Sequence, residues 1–314
     1  MDALHAELTR ITTAVPGTVG ICAQHIETQH RIAYNADTRF PMASVFKLPV
    51  AVYLLTLADR GLLQLDQLID VQPGDISPGS GLIQSLLFHP GLQLSLANLL
   101  ELTLVISDNT ASDVLLRVVG GPQAVTQFLR ERDLPAIRVD RFTKHLVADK
   151  YGLGEFAPPG EWSLERYRMR FEQLTAAQLS AAAVAFSDDE RDSMTPAVMT
   201  DLLVQIATPG LLSARHRSVL LEIMQRCQTG AGAIKGMLPP ETPVAHKTGT
   251  LAEVVANDVG IVTLPDDAGQ LAIAVCVASP EAQSDPASAC QRVIAHGARA
   301  VYDYYRFRSN ATHP

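Results

Sequence analysis

The 314 residues predict an α/β chain of the α+β type, with one antiparallel sheet drawn from both termini, helices flanking it, and an all-helical middle. Three observations carry this. Short runs with strand character fall near the two ends, at Thr18–Ile26 and Arg31–Tyr34 and again at Val244–Thr248, Asp258–Leu264 and Leu271–Ala278. Between them the apolar residues recur at helical spacing. The hydrophobic fraction of 47% is enough for a large core. The expected organisation is an α/β domain from residues 1–36 and 195–314, and a helical domain from 37–194 with an enlarged loop at about 138–187. The functional cleft is expected where the two meet.

The elements follow in order. Ala3–Ala14 places Leu4, Leu8 and Ile11 on one helical face, and Pro16-Gly17 ends it. Thr18–Ile26 and Arg31–Tyr34 form a hairpin. Ser44–Asp59 is a helix stopped by Gly61, and Pro73–Gly81 is loop. Ser95–Ile106, Asn109–Val119 and Gln123–Arg132 are three more helices. The stretch VDRFTKHLVADKYGLGEFAPPGEWSL (139–164) has neither helical nor strand period and is too long for an ordinary connector. Leu164–Phe186 is helical, in one or two pieces. Pro196–Ala207 starts with proline in its first turn, and Ser213–Cys227 follows. After the late strands, Ser284–Tyr305 closes the chain as a long helix.

The bulk properties exclude several functions. A net charge of -8 argues against a nucleic-acid or anionic-membrane partner, since phosphates need a basic surface. No apolar run reaches transmembrane length; Leu99–Ile106 is interrupted by Glu101 and Thr103. The start, MDALHAELTR, lacks the basic and apolar regions of a signal peptide. Cys22, Cys227, Cys276 and Cys290 lack CxxC spacing; three of them sit in apolar surroundings and read as small core residues, with a Cys22–Cys276 bridge weakly supported. The histidines have no metal-ligand spacing, so no metal is expected; His89 and His246 read as structural or as lining the cleft.

Three short motifs carry chemistry. Ser44-Val45-Phe46-Lys47 puts an amine three residues after a hydroxyl at a helix start, where the amine can take the hydroxyl proton and free N–H groups favour developing negative charge. An N-cap serine with a solvated lysine is the plain alternative. Ser107-Asp108-Asn109 offers a hydroxyl for proton relay and an amide for a substrate carbonyl, or an ordinary cap. Lys247-Thr248-Gly249 offers two anion-binding side chains beside a glycine that admits close approach, or an edge strand guarded by lysine.

In this order, S-x-x-K, S-D-N and K-T-G are the signature of class A β-lactamases and penicillin-binding proteins. The chain resembles that superfamily from about Leu4 to Tyr305, and PMASVFKLPV, ISDNTASD, DERDSMTPAVM (189–199) and AHKTGT are similar to its sequence blocks. The resemblance implies a serine hydrolase that opens β-lactam amides through an acyl-enzyme on Ser44. Lys47 would be the general base, directly or through Ser107, and the N–H groups of Ser44 and Thr250 the oxyanion hole. Asn109 would bind the substrate amide, and Lys247 and Thr248, beside Gly249, a carboxylate. It implies no cofactor, a small β-lactam or related amide or ester as the partner, a monomer, and a periplasmic or secreted location despite the missing signal.

The chain departs from the family at the deacylating step. Arg138-Val139-Asp140-Arg141-Phe142 matches the start of the loop that holds the family's glutamate, but Thr143 stands at the glutamate's place and Val147 at that of a nearby asparagine. Extra residues follow, roughly 148–186, among which Glu155, Glu161, Glu165 and Asp149 are substitutes, Glu155 preferred because it lies between Gly154 and Phe156. No arginine stands near Ala256-Asn257-Asp258 to help bind a carboxylate; Lys235 is the upstream cation. These departures keep two further readings open: a D,D-peptidase or esterase of the same fold, and a penicillin-binding module that stays acylated.

Overall fold

The structure is a computed structural model that describes residues 2–154, 161–187, 189–251, 255–279 and 286–309. In chain order, α1 (Asp2–Thr12) precedes β1 (Thr18–His25), β2 (Arg31–Tyr34) and β3 (Phe40–Pro41). A 3₁₀ turn (Ala43–Phe46) leads into α2 (Lys47–Asp59), then β4 (Leu68–Asp70), a second 3₁₀ turn (Pro73–Asp75), α3 (Leu82–Leu86) and β5 (Gln93–Ser95). Six helices follow: α4 (Leu96–Val105), α5 (Asn109–Val118), α6 (Pro122–Arg130), α7 (Thr143–Lys150), α8 (Leu164–Glu172) and α9 (Ala176–Ser187). The chain closes with β6 (Ser193–Met194), α10 (Pro196–Ala207), α11 (Ala214–Gln225), a 3₁₀ turn (Ile234–Met237), β7 (Val244–Leu251), β8 (Val255–Thr263), β9 (Gln270–Ala278) and α12 (Pro286–Ser309).

The chain divides into two compact units. One comprises residues 1–48, 129–138 and 192–314. Its five-stranded sheet runs β2-β1-β9-β8-β7, every neighbouring pair antiparallel, with strands from both termini as the sequence predicts. α1 and α12 pack on each other and α12 lies on the sheet; α10 packs against β1, β8 and β9. Helices on both sides leave β9 buried along nearly its whole length, which is why it reads as a continuous apolar run. Leu4, Leu8 and Ile11 face this core with Ile21, Val275, Val301 and Tyr302.

The other unit comprises residues 49–128 and 139–191. α4 and α5 pack together, and α5 carries α7, which in turn contacts α9. Ser95 and Asp108 cap α4 and α5, accepting from the N–H groups of Asn98 and Ala111. The 139–164 stretch differs from its sequence reading, because Thr143–Lys150 is helical. Its cap comes from elsewhere in the chain. The Asp113 carboxylate on α5 accepts from the N–H groups of Thr143 (2.6 Å) and Lys144 (3.1 Å), which are the free donors of a helix start. The Ser77 hydroxyl donates to the same carboxylate. Two further bonds tie described residues of the stretch down: Trp162 Nε1 donates to the Ile76 carbonyl (2.9 Å), and Lys144 Nζ donates to the Gly74 carbonyl (2.6 Å). Leu164–Phe186 is two helices, interrupted at Gln173–Thr175.

An ion cluster closes the base of this segment. Arg141, itself buried, pairs with Asp149 (2.7 Å) and Asp189 (2.9 Å), and Arg191 pairs with the same two carboxylates (3.1 and 2.7 Å). Partial burial works against the Asp189 charge, but hydrogen bonds from Arg191 and the charges of Arg141 and Arg191 outweigh it and hold the carboxyl down at about 2. A depressed carboxyl stabilises the fold above its ordinary range and loses that contribution as pH falls toward its folded value. Amide protection in α7–α9, taken relative to the intrinsic exchange rate at each pH, is therefore expected to fall as pH drops from about 4 to about 2, ahead of protection in the five-stranded sheet. Simultaneous loosening of both would contradict the assignment.

Candidate active site

In the sheet-bearing unit the site is built around Ser44. The sequence predicts one helix from Ser44 to Asp59, but Ser44 lies in the 3₁₀ turn Ala43–Phe46, and α2 begins at Lys47. In a 3₁₀ turn residues three apart eclipse one another, so Ser44 and Lys47 share a face more closely than on an α-helix. The Lys47 N–H donates to the Ser44 carbonyl, closing the turn. Ser44 is half-buried and Lys47 fully buried. Ala43, just before Ser44, takes a left-handed φ of 48°, a conformation that costs a non-glycine residue about 1–2 kcal/mol.

Several contacts hold this turn in place. β3 pairs with β6 through Phe40↔Met194 and Pro41↔Ser193, and the Met42 N–H donates to the Asp192 carbonyl (2.8 Å). Asn257 on β8 donates through Nδ2 to the carbonyls of Pro41 (2.8 Å) and Met42 (3.1 Å). The tightest restraint is β7. A Cβ at Gly249 would lie 2.4 Å from the Met42 carbonyl oxygen, 2.8 Å from the Val45 nitrogen and 3.0 Å from the Ser44 nitrogen. Only glycine lets the strand run this close to the backbone of Ser44.

The Lys-Thr-Gly segment lies within β7, which extends past the predicted end at Thr248 to Leu251. Lys247 is wholly buried; its Nζ donates to the Thr248 carbonyl (2.7 Å). Burial lowers its amine to about 8, against the opposing pull of Cys227 and Asp258. Thr248 is nearly buried, its hydroxyl bonded to that of Thr229 (2.5 Å), and Thr250 is exposed. His246 resolves as structural: fully buried, its Nδ1 lies 2.9 Å from Asp258 Oδ1. His89 is exposed and rests on Phe88. Lys235 is spent on the end of α11, its Nζ donating to the Gln225 carbonyl (3.3 Å). All four cysteines are free, so Cys22 and Cys276 are not bridged.

In the helical unit, Ser107-Asp108-Asn109 forms a fixed corner between α4 and α5. Ser107 takes φ 60°, which turns the chain sharply. Its carbonyl accepts from Ser80 Oγ (2.9 Å), the Asn109 N–H donates to the Ser80 carbonyl (2.9 Å), and Asn109 Nδ2 donates to the Pro78 carbonyl (2.8 Å). Asp108 serves two donors, the Ala111 N–H (2.9 Å) and the Ile83 N–H (3.0 Å). Thr143 is buried on this unit's α7, its hydroxyl bonded to that of Ser112 (2.9 Å). Among the loop carboxylates, Asp149 belongs to the arginine cluster, Glu161 pairs with Arg166 (2.7 Å), and Glu165 is exposed in the first turn of α8. Glu155 lies outside the described residues.

Sequence reasoning did not single out Asn257, Asp113 or Thr229. Each acts through contacts set by strand register or by helix packing, and no local pattern marks them.

The sequence model of the β-lactamase enzyme family matches residues 3–305. β-Lactamase VEB-1 of Pseudomonas aeruginosa is 27% identical over 312 residues, spanning 97% of this chain and 91% of that protein. β-Lactamase L2 of Stenotrophomonas maltophilia is 28% identical over 248 residues, 79% of this chain and 69% of that one. Among solved structures, a β-lactamase from Chitinophaga pinensis aligns with a TM-score of 0.76 and 28% identity over 96% of this chain and 99% of its own. An ancestral class A β-lactamase aligns with a TM-score of 0.77 at 28% identity, with the same coverage.

The close approach at Gly249 yields a direct test. Gly249→Ala is expected to lower stability by about 1–3 kcal/mol, the usual cost of overpacking against backbone that cannot give way, read as a drop in the urea midpoint. A variant as stable as the parent would show that β7 does not press on the Ser44 turn.

Proposed function

This chain belongs to the β-lactamase enzyme family, and we propose that it hydrolyses β-lactams through a covalent intermediate on Ser44. The observation that carries this reading is the junction of Gly249 with the Ser44 turn. It brings the β7 backbone against the Ser44 nitrogen, the arrangement needed for two N–H groups to converge on one oxygen.

The reaction follows from the groups available. The Ser44 hydroxyl attacks the lactam carbonyl while its proton passes to the Lys47 amine, directly or through the Ser107 hydroxyl. The N–H groups of Ser44 and Thr250 hold the oxyanion, and the C–N bond breaks as the ring nitrogen takes a proton. Asn109 binds the amide of the substrate's side chain; Lys247 and Thr248 hold its carboxylate.

The hydrolytic half is the slow half in this reading. Thr143 stands where the family keeps a glutamate, and a threonine hydroxyl is no base at neutral pH. Asp149 and Glu161 are committed to arginines. Loss of positioned base catalysis slows a step by about 10²–10⁴-fold. The acyl-enzyme is therefore expected to accumulate.

Two measurements test this. Intact-mass analysis after mixing with a cephalosporin is expected to show an adduct that decays over minutes to hours, and Ser44→Ala should show neither adduct nor turnover. Turnover by Ser44→Ala would defeat the proposal, and an adduct that never decays would recast the protein as a penicillin-binding module. The Lys247 amine is charged below about pH 8 and neutral above it. KM for a carboxylate-bearing β-lactam should therefore rise as pH passes through that value, with kcat changing less. A flat KM from pH 7 to 9 would remove Lys247 from carboxylate binding.

A further inference from the structure

Within the helical unit, α7 and α8 border a groove of about 370 Å³ that the proposed chemistry does not use. Small-ligand sites fall in this range, roughly 300–1,000 Å³. Part of its lining is aromatic, from Tyr151 at the end of α7 and from Tyr167 and Phe171 on α8. Tyr151 and Phe171 meet edge to face, their centroids 4.8 Å apart, and Phe171 stacks on Tyr167 at 6.0 Å. Pro78 and Gly79 line it from the segment before α3. Their backbone is fixed: the Pro78 carbonyl accepts from Asn109 Nδ2 (2.8 Å), and Gly79 takes φ 99°. A Cβ at Gly79 would fall 2.8 Å from that same Asn109 nitrogen. The groove therefore begins beside the amide assigned to the substrate.

Arg168 is the one charged side chain among the described residues that line this groove. It is exposed and makes no ion pair among the described residues, although Glu165 and Glu172 stand three and four places away on α8. It is tethered instead to Gln84 on α3. With the Gln84 amide turned so that both of its ends are satisfied, Oε1 accepts from Arg168 (3.0 Å) and Nε2 donates to the Gly79 carbonyl (3.1 Å). The other N–H groups of the guanidinium are left to face a guest. A second cation stands nearby, since Lys150 Nζ donates to the Tyr151 hydroxyl (3.0 Å). Tyr167 brings no negative charge, because burial pushes its phenol up to about 12. A ring cluster that served packing alone would close on itself; here the rings leave a space bordered by a tethered guanidinium. That combination suits a flat ring bearing a negative group, which arginine's planar fork can hold through two parallel N–H bonds.

We propose that this groove binds a small aromatic carboxylate, its ring against Tyr151, Tyr167 and Phe171 and its carboxylate on Arg168. The group has two possible sources. It arrives as a free acid, or as the acyl side chain of a β-lactam whose amide Asn109 holds, the second source resting on the functional reading above. Both present the same ring and the same charge to the same residues.

Trp162, the chain's only tryptophan, has its ring centroid 6.0 Å from that of Tyr167, so its fluorescence reports on the groove. Titrating the whole protein with phenylacetate is expected to change that emission saturably. Phenylacetamide lacks the charge and cyclohexylacetate lacks the aromatic ring; each should bind at least about five-fold more weakly. These comparisons need no variant. Arg168→Leu should cost phenylacetate a similar factor and leave phenylacetamide unchanged, with the circular-dichroism spectrum and urea midpoint unmoved. Absence of saturation, equal binding of the acid and its amide, or a phenylacetate affinity unmoved by Arg168→Leu would overturn the proposal. The last of these would place the acid on the carboxylate surface assigned to Lys247 and Thr248. Kinetics separate the two sources, using two β-lactams of one nucleus. One carries a phenylacetyl side chain and the other the same chain with a carboxylate at its α-carbon. A KM that rises about five-fold in Arg168→Leu for the carboxylated compound alone assigns the groove to the substrate. An unchanged KM for both, with phenylacetate binding lost, assigns it to a free acid. Because binding is read on Trp162 without turnover, its failure is distinct from failure of the Ser44 chemistry.

Discussion

The contact between Gly249 and the Met42–Val45 turn is the constraint on which the placement of Ser44 depends. A backbone strand cannot come within van der Waals reach of another backbone when a side chain intervenes, so the residue there must be glycine. Once β7 is that close, the turn has little room to relax. It is tightened to a 3₁₀ conformation, with a left-handed alanine at its entrance, and Asn257 latches its carbonyls from the next strand. The strain at Ala43 is tolerated because β3–β6 pairing and the Met42–Asp192 hydrogen bond determine the backbone from the other side. Sheet geometry thus fixes the face shared by Ser44 and Lys47.

Immediately beside this junction the strand carries charge into the core. Lys247, His246 and Asp258 are all fully buried, an arrangement that is costly unless the charges offset one another. Asp258 is central because it accepts from His246 and from the Ile234 N–H, and its charge supports the Lys247 ammonium. Burial disfavours the thiolate of Cys227, in the segment after α11, but His246 and Lys247 outweigh it and bring the thiol down to about 7. Such coupling means that a change at one member is felt at Lys247 without any motion of the strand.

The helical unit solves a different problem, that of ordering a long segment with weak local preference. Asp113 supplies the missing cap of α7, Trp162 and Lys144 tie the stretch to backbone carbonyls at Ile76 and Gly74, and the Arg141–Asp149–Asp189–Arg191 cluster closes its base. The carboxylates bound in this scaffold are thereby withdrawn from chemistry. The described part of this segment is thus held in place by its own acids.

Much of the fold was legible in the residues themselves. Alternation and apolar runs at the two ends marked β1, β2, β7, β8 and β9, and helical spacing marked α1, α4, α5, α10 and α12, because these periods express burial on one face or both. The three motifs were legible because each depends on residues three or fewer apart. Tertiary structure alone decided the rest. The 3₁₀ turn at Ser44 is imposed by β7 and β8, more than 200 residues further on in the chain. Helix α7 exists because its cap is a carboxylate thirty positions away, which no local pattern can record. The ion pair of His246 with Asp258 is likewise made by the cross-strand register of β7 and β8. Sequence periodicity records which face a residue buries; it does not record which distant group will meet it there, and hydrogen bonds and buried charges are settled by that meeting.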